Sequence, residues 1–348
     1  MTTPRVQTVL GPIDPGELGI TQTHEHLLID MMAYFQMPDE ASERAWIDAP
    51  VTMERFGGLY RRFMYNKDNM RLLDEREAIE ELLRYRYAGG DAVVDTTNNG
   101  LARDPLALAR IARATGIKIV MGASYYVPVS YPPDLADRSE EDIAESIVRD
   151  LTYGVGETGI RAGVIGEVGN FWPTNDTTIK ILRASARASV ETGAAVLIHP
   201  GFHPDSPPHI LDTLLEAGTD PGRIIMGHLD VFAVDRGWLR DMASSGCYME
   251  WDAYGLEDTT IGGGNLDFTT ISSDAQRLET LEFMLSEGFG SQVVLSHDVC
   301  TKTQRRKYGG KGYAHILENI APRMRARGFS AADIDAILID NPARALAF

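Results

Sequence analysis

The stretch TQTHEHLL, residues 21–28, places His24 and His26 one residue apart behind an apolar, strand-like entry, in a chain with only 8 histidines. Other imidazoles and carboxylates stand late in comparable apolar runs: Glu167 in AGVIGEVG, His199 in AAVLIHPG, His228 in RIIMGHLD and Asp298 in QVVLSHDV. These are the ligand types that hard and borderline divalent metals take. Singly, each is also what a hydrogen-bonded core residue looks like. Together on five separate strand ends they are hard to explain as packing, because buried charge is costly unless paired or coordinated.

Such a constellation needs a scaffold that brings five strand ends to one point. Eight β-rich runs occur in order, at 19–28, 92–97, 118–126, 162–169, 194–201, 223–230, 247–255 and 292–299. Several begin as continuous apolar runs, as strands buried on both faces of a parallel sheet do. Helical segments fill most gaps. Asp104 and Pro105 open one that Gly116 can end, which follows the preferences of helix termini. Segments 139–152, 175–192, 207–217, 235–245 and 274–287 have amphipathic spacing. Residues 31–88 read as a long first loop plus a helix. This alternation predicts a single-domain α/β chain folded as a (β/α)₈ TIM barrel, with its site at the C-terminal ends of the strands. A doubly wound open sheet is the alternative, but no G-x-G-x-x-G turn follows the first strand.

Strand periodicity assigns directions. Alternate residues share a face, so His24 and His26 point into the barrel and Glu25 points toward the helices. By the same rule, an inward Asp298 leaves His297 facing outward as a packing residue.

The bulk numbers exclude some functions. A net charge of −17 argues against a general nucleic-acid binder. No apolar run is long enough to span a bilayer, and the N-terminus lacks a secretion-signal pattern. Two cysteines, Cys247 and Cys300, are too few for a disulfide framework, which suggests a reducing, cytoplasmic setting. Both read as core residues. TTIGGGN (259–265) reads as a flexible loop after strand seven that could act as a lid; without a following Lys-Ser/Thr it is not a phosphate loop.

The ordered motifs THEH, GVIGEVG, IHPG, MGHLD, LSHD and NPAR resemble the phosphotriesterase-related branch of the amidohydrolase superfamily, nearly end to end. YGGKGY resembles the subgroup that includes the mammalian phosphotriesterase-related proteins. The resemblance implies two divalent ions, most often Zn²⁺, with Mn²⁺ or Co²⁺ as alternatives. One would be held by His24, His26 and Asp298, the other by His199 and His228. Many members bridge the pair with a carboxylated lysine on strand four; this chain has Gly166-Glu167 there and no lysine nearby. Glu167 therefore resembles the bridge of the Glu-containing subgroup.

The implied activity is hydrolysis of a small ester, lactone or N-acyl amide bond by a metal-bridging hydroxide, with Asp298 as metal ligand and proton acceptor. Organophosphate hydrolysis, or an inactive ligand-binding barrel, are the alternatives, and a metal-dependent isomerase or lyase is a third class. Tyr126 matches a tyrosine that reaches toward the substrate in lactonase-type relatives, or it is a core aromatic. Asp252 lies at the end of strand seven, where some relatives carry a neighbouring arginine and this chain has Ala253. The cluster Lys302, Arg305, Arg306 and Lys307 either meets an anionic part of the substrate or pairs with nearby acids. The expected partner is a small-molecule substrate, without nucleic acid or membrane. Dimerisation is common in such a family, and no residue pattern here proves it.

A glutamate bridge needs no CO₂. Reconstitution of metal-free protein with Zn²⁺ should therefore proceed equally with and without bicarbonate; a strong bicarbonate dependence would point to a carboxylated lysine instead.

Overall fold

The computed structural model describes residues 3–60, 62–232, 235–257, 260–263 and 266–348. Eight parallel strands form one sheet: β1 (Thr21–Glu25), β2 (Ala92–Asp95), β3 (Lys118–Ala123), β4 (Val164–Gly169), β5 (Val196–His199), β6 (Ile224–Met226), β7 (Tyr248–Trp251) and β8 (Val293–Leu295). Neighbours in the sheet are neighbours in sequence, so each crossover joins adjacent strands. Helices α1 (Glu75–Tyr87), α2 (Pro105–Thr115), α3 (Glu140–Thr152), α4 (Asp176–Thr192), α5 (Ser206–Glu216), α6 (Arg236–Ser244) and α7 (Asp274–Ser286) follow the first seven strands. After β8 the chain makes a π-turn at Ile316–Ile320 that runs into helix Ala321–Ala326. Among the described residues no helix is long and apolar enough to cross a membrane.

The expected helix signals act as read. Asp104 caps α2 through the Ala107 N–H, and Gly116 ends it in the left-handed conformation at φ 71°. Ser139 and Asp142 form a capping box at the start of α3. The segment 31–88 holds more than a loop and a helix. It includes short helices at Ala41–Arg44 and Phe56–Tyr60, and a strand Arg71–Leu72 that pairs antiparallel with Ile29–Asp30 just before the segment. The glycine-rich stretch after β7 is also not simply a loop. Thr260–Gly263 pairs antiparallel with Leu266–Thr270, while positions 259, 264 and 265 lie outside the described residues.

Two apolar sets alternate along the strands. Val94, Val120, Val164, Leu197, Ile225 and Val294 pack together in the barrel interior with Val6 and Leu346 from the two chain ends. Their neighbours Val93, Ile119, Ile165, Ile198 and Val293 pack outward with the helices. The hairpin Val6–Thr8/Gly11–Ile13 and the bridge between Val6 and Ala347 bring the two chain ends together beside that interior cluster.

β1 and β8 meet through side chains rather than a regular ladder. The Ser296 hydroxyl lies 2.6 Å from the His24 carbonyl and 2.8 Å from a Glu25 carboxylate oxygen. Glu25 also accepts the N–H groups of His297 and Val299, each at 3.0 Å, and its Oε1 lies 2.8 Å from His297 Nδ1. The Asp298 N–H bonds the His24 carbonyl at 3.1 Å. A fully buried carboxylate thus closes the cylinder and fixes the backbone on both sides of Asp298. His297, its ring held between Glu25 and the Ile316 N–H, faces away from the lumen as periodicity requires.

Removing that carboxylate leaves His297 and two backbone N–H groups buried without partners. Glu25→Ala should cost roughly 3 kcal/mol of stability, read as a lower denaturant midpoint, whereas Ser296→Ala should cost about 1 kcal/mol.

Candidate metal centre

The six strand-end residues converge. His24 and His26 lie at the end of β1, Glu167 in β4, His199 at the end of β5, and His228 and Asp298 just beyond β6 and β8. Glu167 is at their centre. Its Oε1 is 3.2 Å from His26 Nε2, and its Oε2 lies 3.1, 3.3 and 3.6 Å from His199 Nδ1, His24 Nε2 and His228 Nε2. Asp298 Oδ1 is 3.3 Å from His26 Nε2. Three overlapping groups have ligand atoms within 4.8 Å of one another: His24, His26 and Glu167; Glu167, His199 and His228; and His24, His228 and Asp252.

Simple alternation does not aim all of these. In β4, Val164 and Gly166 have the inward parity, yet Glu167 faces the lumen because the register shifts between Ile165 and Val168. Gly166 has φ 148°, and a methyl group there would collide with the Leu197 carbonyl, so no other residue fits beside Glu167. His228 and Asp298 adopt left-handed backbone, φ 55° and 49°, where non-glycine residues are uncommon. Such conformations cost on the order of 1–3 kcal/mol and persist where the surroundings enforce them. Here they turn both side chains inward.

A further layer orients the imidazoles, and the sequence did not disclose it. Asp252 Oδ1 lies 2.8 Å from His228 Nδ1, while Oδ2 accepts the His228 N–H at 2.9 Å and lies 3.1 Å from His24 Nδ1. Glu250 is 3.2 Å from the same His24 nitrogen. Thr97 Oγ1 is 2.8 Å from His26 Nδ1. Asp230 accepts the N–H groups of Asp252 and Ala253 and pairs with fully buried Arg277. Because Asp252 faces Nδ1, the Nε2 atoms of His24 and His228 stay free to face Glu167; carboxylates fix histidine ligands in metal sites this way. The signal available in sequence was parity alone: Glu250 and Asp252 alternate on β7 with the inward Tyr248.

The donor set fits a metal. Glu167 Oε1 and His24 Nε2 are buried polar atoms without a hydrogen-bond partner, and His228 Nε2 and His199 Nδ1 point at one another across 2.7 Å. Buried groups are seldom left unsatisfied in this way. The electrostatics agree. Burial opposes charge on Glu167, but the neighbouring imidazoles outweigh it and hold its carboxyl well below the usual range. Burial likewise disfavours the His26 imidazolium, yet Asp298 and Glu167 lift its pKa to about 9. Burial also opposes, and Glu167 and Asp252 overcome, the charging of His24. His199 moves down instead, through burial and the charge of His228. The site stabilises positive charge, and bound cations would supply it.

Above the centre opens a pocket lined by Met31, Tyr34, Met64, Phe202 and Leu256 among others, with His199, His228, Asp252 and Asp298 at its base. Tyr126 also lines it, its hydroxyl 3.4 Å from His199 Nδ1. Cys300, expected in the core, is half-buried and faces this pocket; burial and then the Asp298 and Glu167 charges push its thiol up, so it is no thiolate nucleophile. Cys247 is buried in the core as expected. The basic cluster does not reach the pocket. Lys302 pairs with Asp68 at 2.6 Å, Arg306 with Glu318 at 2.8 Å, and Arg305 and Lys307 share Glu77 at 3.2 and 2.9 Å.

If Asp252 orients His24 and His228, Asp252→Asn should weaken Zn²⁺ binding by about 10–100-fold; competition with a chelator of known affinity measures it, and unchanged affinity would remove Asp252 from the site.

Comparison with known proteins agrees with this fold. The phosphotriesterase family profile matches residues 4–346. An N-acetyltaurine hydrolase of Salmo salar is 41% identical over 345 residues, covering 99% of this chain and 98% of that protein. A phosphotriesterase-related protein of Nematostella vectensis is 39% identical over 351 residues, covering all of both chains. The crystal structure of a resiniferatoxin-binding protein from Rhodobacter sphaeroides superposes with a TM-score of 0.94 at 32% identity, over 98% of this chain and 94% of that one. The chain belongs to the phosphotriesterase family and is a hydrolase.

Proposed function

We propose that this hydrolase uses two divalent ions to cleave a small N-acyl amide, or a related ester or lactone. His24, His26 and Asp298 would hold one ion, His199 and His228 the other, with Glu167 between them. The observation that carries the reading is Glu167: a fully buried carboxylate surrounded by four imidazoles, with one oxygen lacking a hydrogen-bond partner. Zn²⁺ suits a mixed imidazole and carboxylate set, and Mn²⁺ or Co²⁺ should substitute. Two such ions, when bound, acidify water and polarise the scissile carbonyl.

The remaining chemistry falls to the chain. Asp298 is the one acid of the six whose side chain retains 21% exposure, so it faces the substrate. It takes the proton from the attacking water and returns it to the leaving nitrogen. Tyr126 keeps its proton, because burial and the nearby Tyr34 and Glu167 raise its pKa well above the ordinary value, and it donates a hydrogen bond to the acyl group. The apolar wall of Met31, Tyr34, Met64 and Phe202 seats the acyl chain and excludes water. Relatives that hydrolyse N-acetyltaurine support the amide over the lactone. We place the protein in the cytoplasm, where its two free cysteines stay reduced.

Zinc-loaded protein should hydrolyse simple N-acetyl amides and lose that activity on chelation. Glu167→Ala should lose both bound metal and turnover, by at least ~100-fold; a variant that keeps two ions per chain would refute the bridge.

A further inference from the structure

An N-acyl amino acid or amino sulfonate carries an anion beyond the scissile bond, and an anion leaving water needs a cation to meet it. The pocket above the metal centre offers no such group among its described lining residues: its charged members there are Asp230, Asp252 and Asp298, besides the histidines. Arg277, just behind, is fully buried between Asp230 and Asp274. Lys302, Arg305, Arg306 and Lys307 each bind a carboxylate.

A second groove adjoins the pocket and shares the walls Tyr60, Leu256, Thr303 and Gln304 with it. Lys311 of the YGGKGY segment lines this groove. Among the described residues it is the one lysine without a hydrogen bond, ion pair or ring contact; Lys67, Lys118, Lys180, Lys302 and Lys307 all have partners. Its stem lies beside Gly255, where an added Cβ would come within 3.0 Å of Lys311 Cβ. The loop around it is held: the Gly312 N–H bonds the Gln304 carbonyl at 2.8 Å, and a Cβ at Gly310 would collide with that carbonyl. Glu257, the acid of the groove, accepts the Asp274 N–H at 3.2 Å.

We propose that Lys311 sets specificity by pairing with a sulfonate or carboxylate on the departing amine, the leaving group lying along this groove while the acyl chain rests on the apolar wall. The proposal rests on the amide-hydrolase reading. Hydrolysis then breaks the C–N bond, adds water, and releases a carboxylic acid and the amino anion.

The test compares N-acetyltaurine, N-acetyl-β-alanine and uncharged N-propylacetamide on the zinc-loaded full chain, as wild type, Lys311→Met, Lys311→Arg and Arg61→Gln. Arg61 is included because it is a cation outside the described residues. The wild type should favour one anionic amide over the uncharged one by about tenfold, a difference of roughly 1.4 kcal/mol. K311M should raise KM for that amide about tenfold with kcat nearly kept, K311R should retain most of the affinity, and KM for N-propylacetamide should move much less. Which anion wins identifies the sulfonate or the carboxylate. An unchanged KM in K311M, a wild-type preference for the uncharged amide, or the whole effect appearing in R61Q overturns the proposal. Should the wild type turn over none of the three, the function reading fails. Calorimetric Kd values of the anionic amides for wild type and K311M then decide Lys311 separately: a tenfold gap sustains it and equal values overturn it.

Discussion

The structure depends on one constraint: the negative charge of Glu167, wholly inside the barrel, has to be balanced. Isolated ionised carboxylates are far too costly to bury. Four imidazoles supply the balance, from β1, β5 and β6, and each is aimed by something else. The strained backbone at His228, the register shift in β4 and the glycine at 166 are local costs that make sense only if a centre of charge sits at that point.

Around this centre lies a second ring of acids, bonded to the imidazoles and to the backbone that carries them. Asp252 and Glu250 on β7 hold ring nitrogens of His24 and His228, and Asp230 with Arg277 holds the backbone of Asp252 in turn. Glu25 clasps β1 to β8 outside the lumen and thereby fixes Asp298. Stability and the proposed site share these residues. The closing seam of the cylinder is also the seam from which three of the six proposed ligands emerge.

The loops divide the labour differently. The 302–307 cluster after β8 carries four cations, three of them partnered with Asp68 or Glu77 from the 31–88 region, so that this long insertion is tied down over the barrel rim. The long insertion supplies much of the pocket's apolar wall, through Met31, Tyr34, Tyr60 and Met64. The charge pattern of the 302–307 cluster is therefore structural, and the upper wall of the pocket it frames is apolar.

The sequence by itself determined the eight strands, most of the helices with their caps, and the identity of the residues at the strand ends, because burial on both faces and the chemistry of helix termini are local. It also separated Glu25 and His297 from their inward neighbours, since period-two alternation is local as well. What only the tertiary structure decided was aim and partnership. Glu167 and His228 stand at positions that regular alternation would not turn into the lumen, and it took a bulge and a left-handed turn, enforced by contacts with distant strands, to bring them in. The role of Asp252 and the pairing of the basic cluster were likewise invisible in the chain, because each depends on groups that approach from far along it: Asp252 meets His24 and Lys302 meets Asp68, each across more than half the sequence.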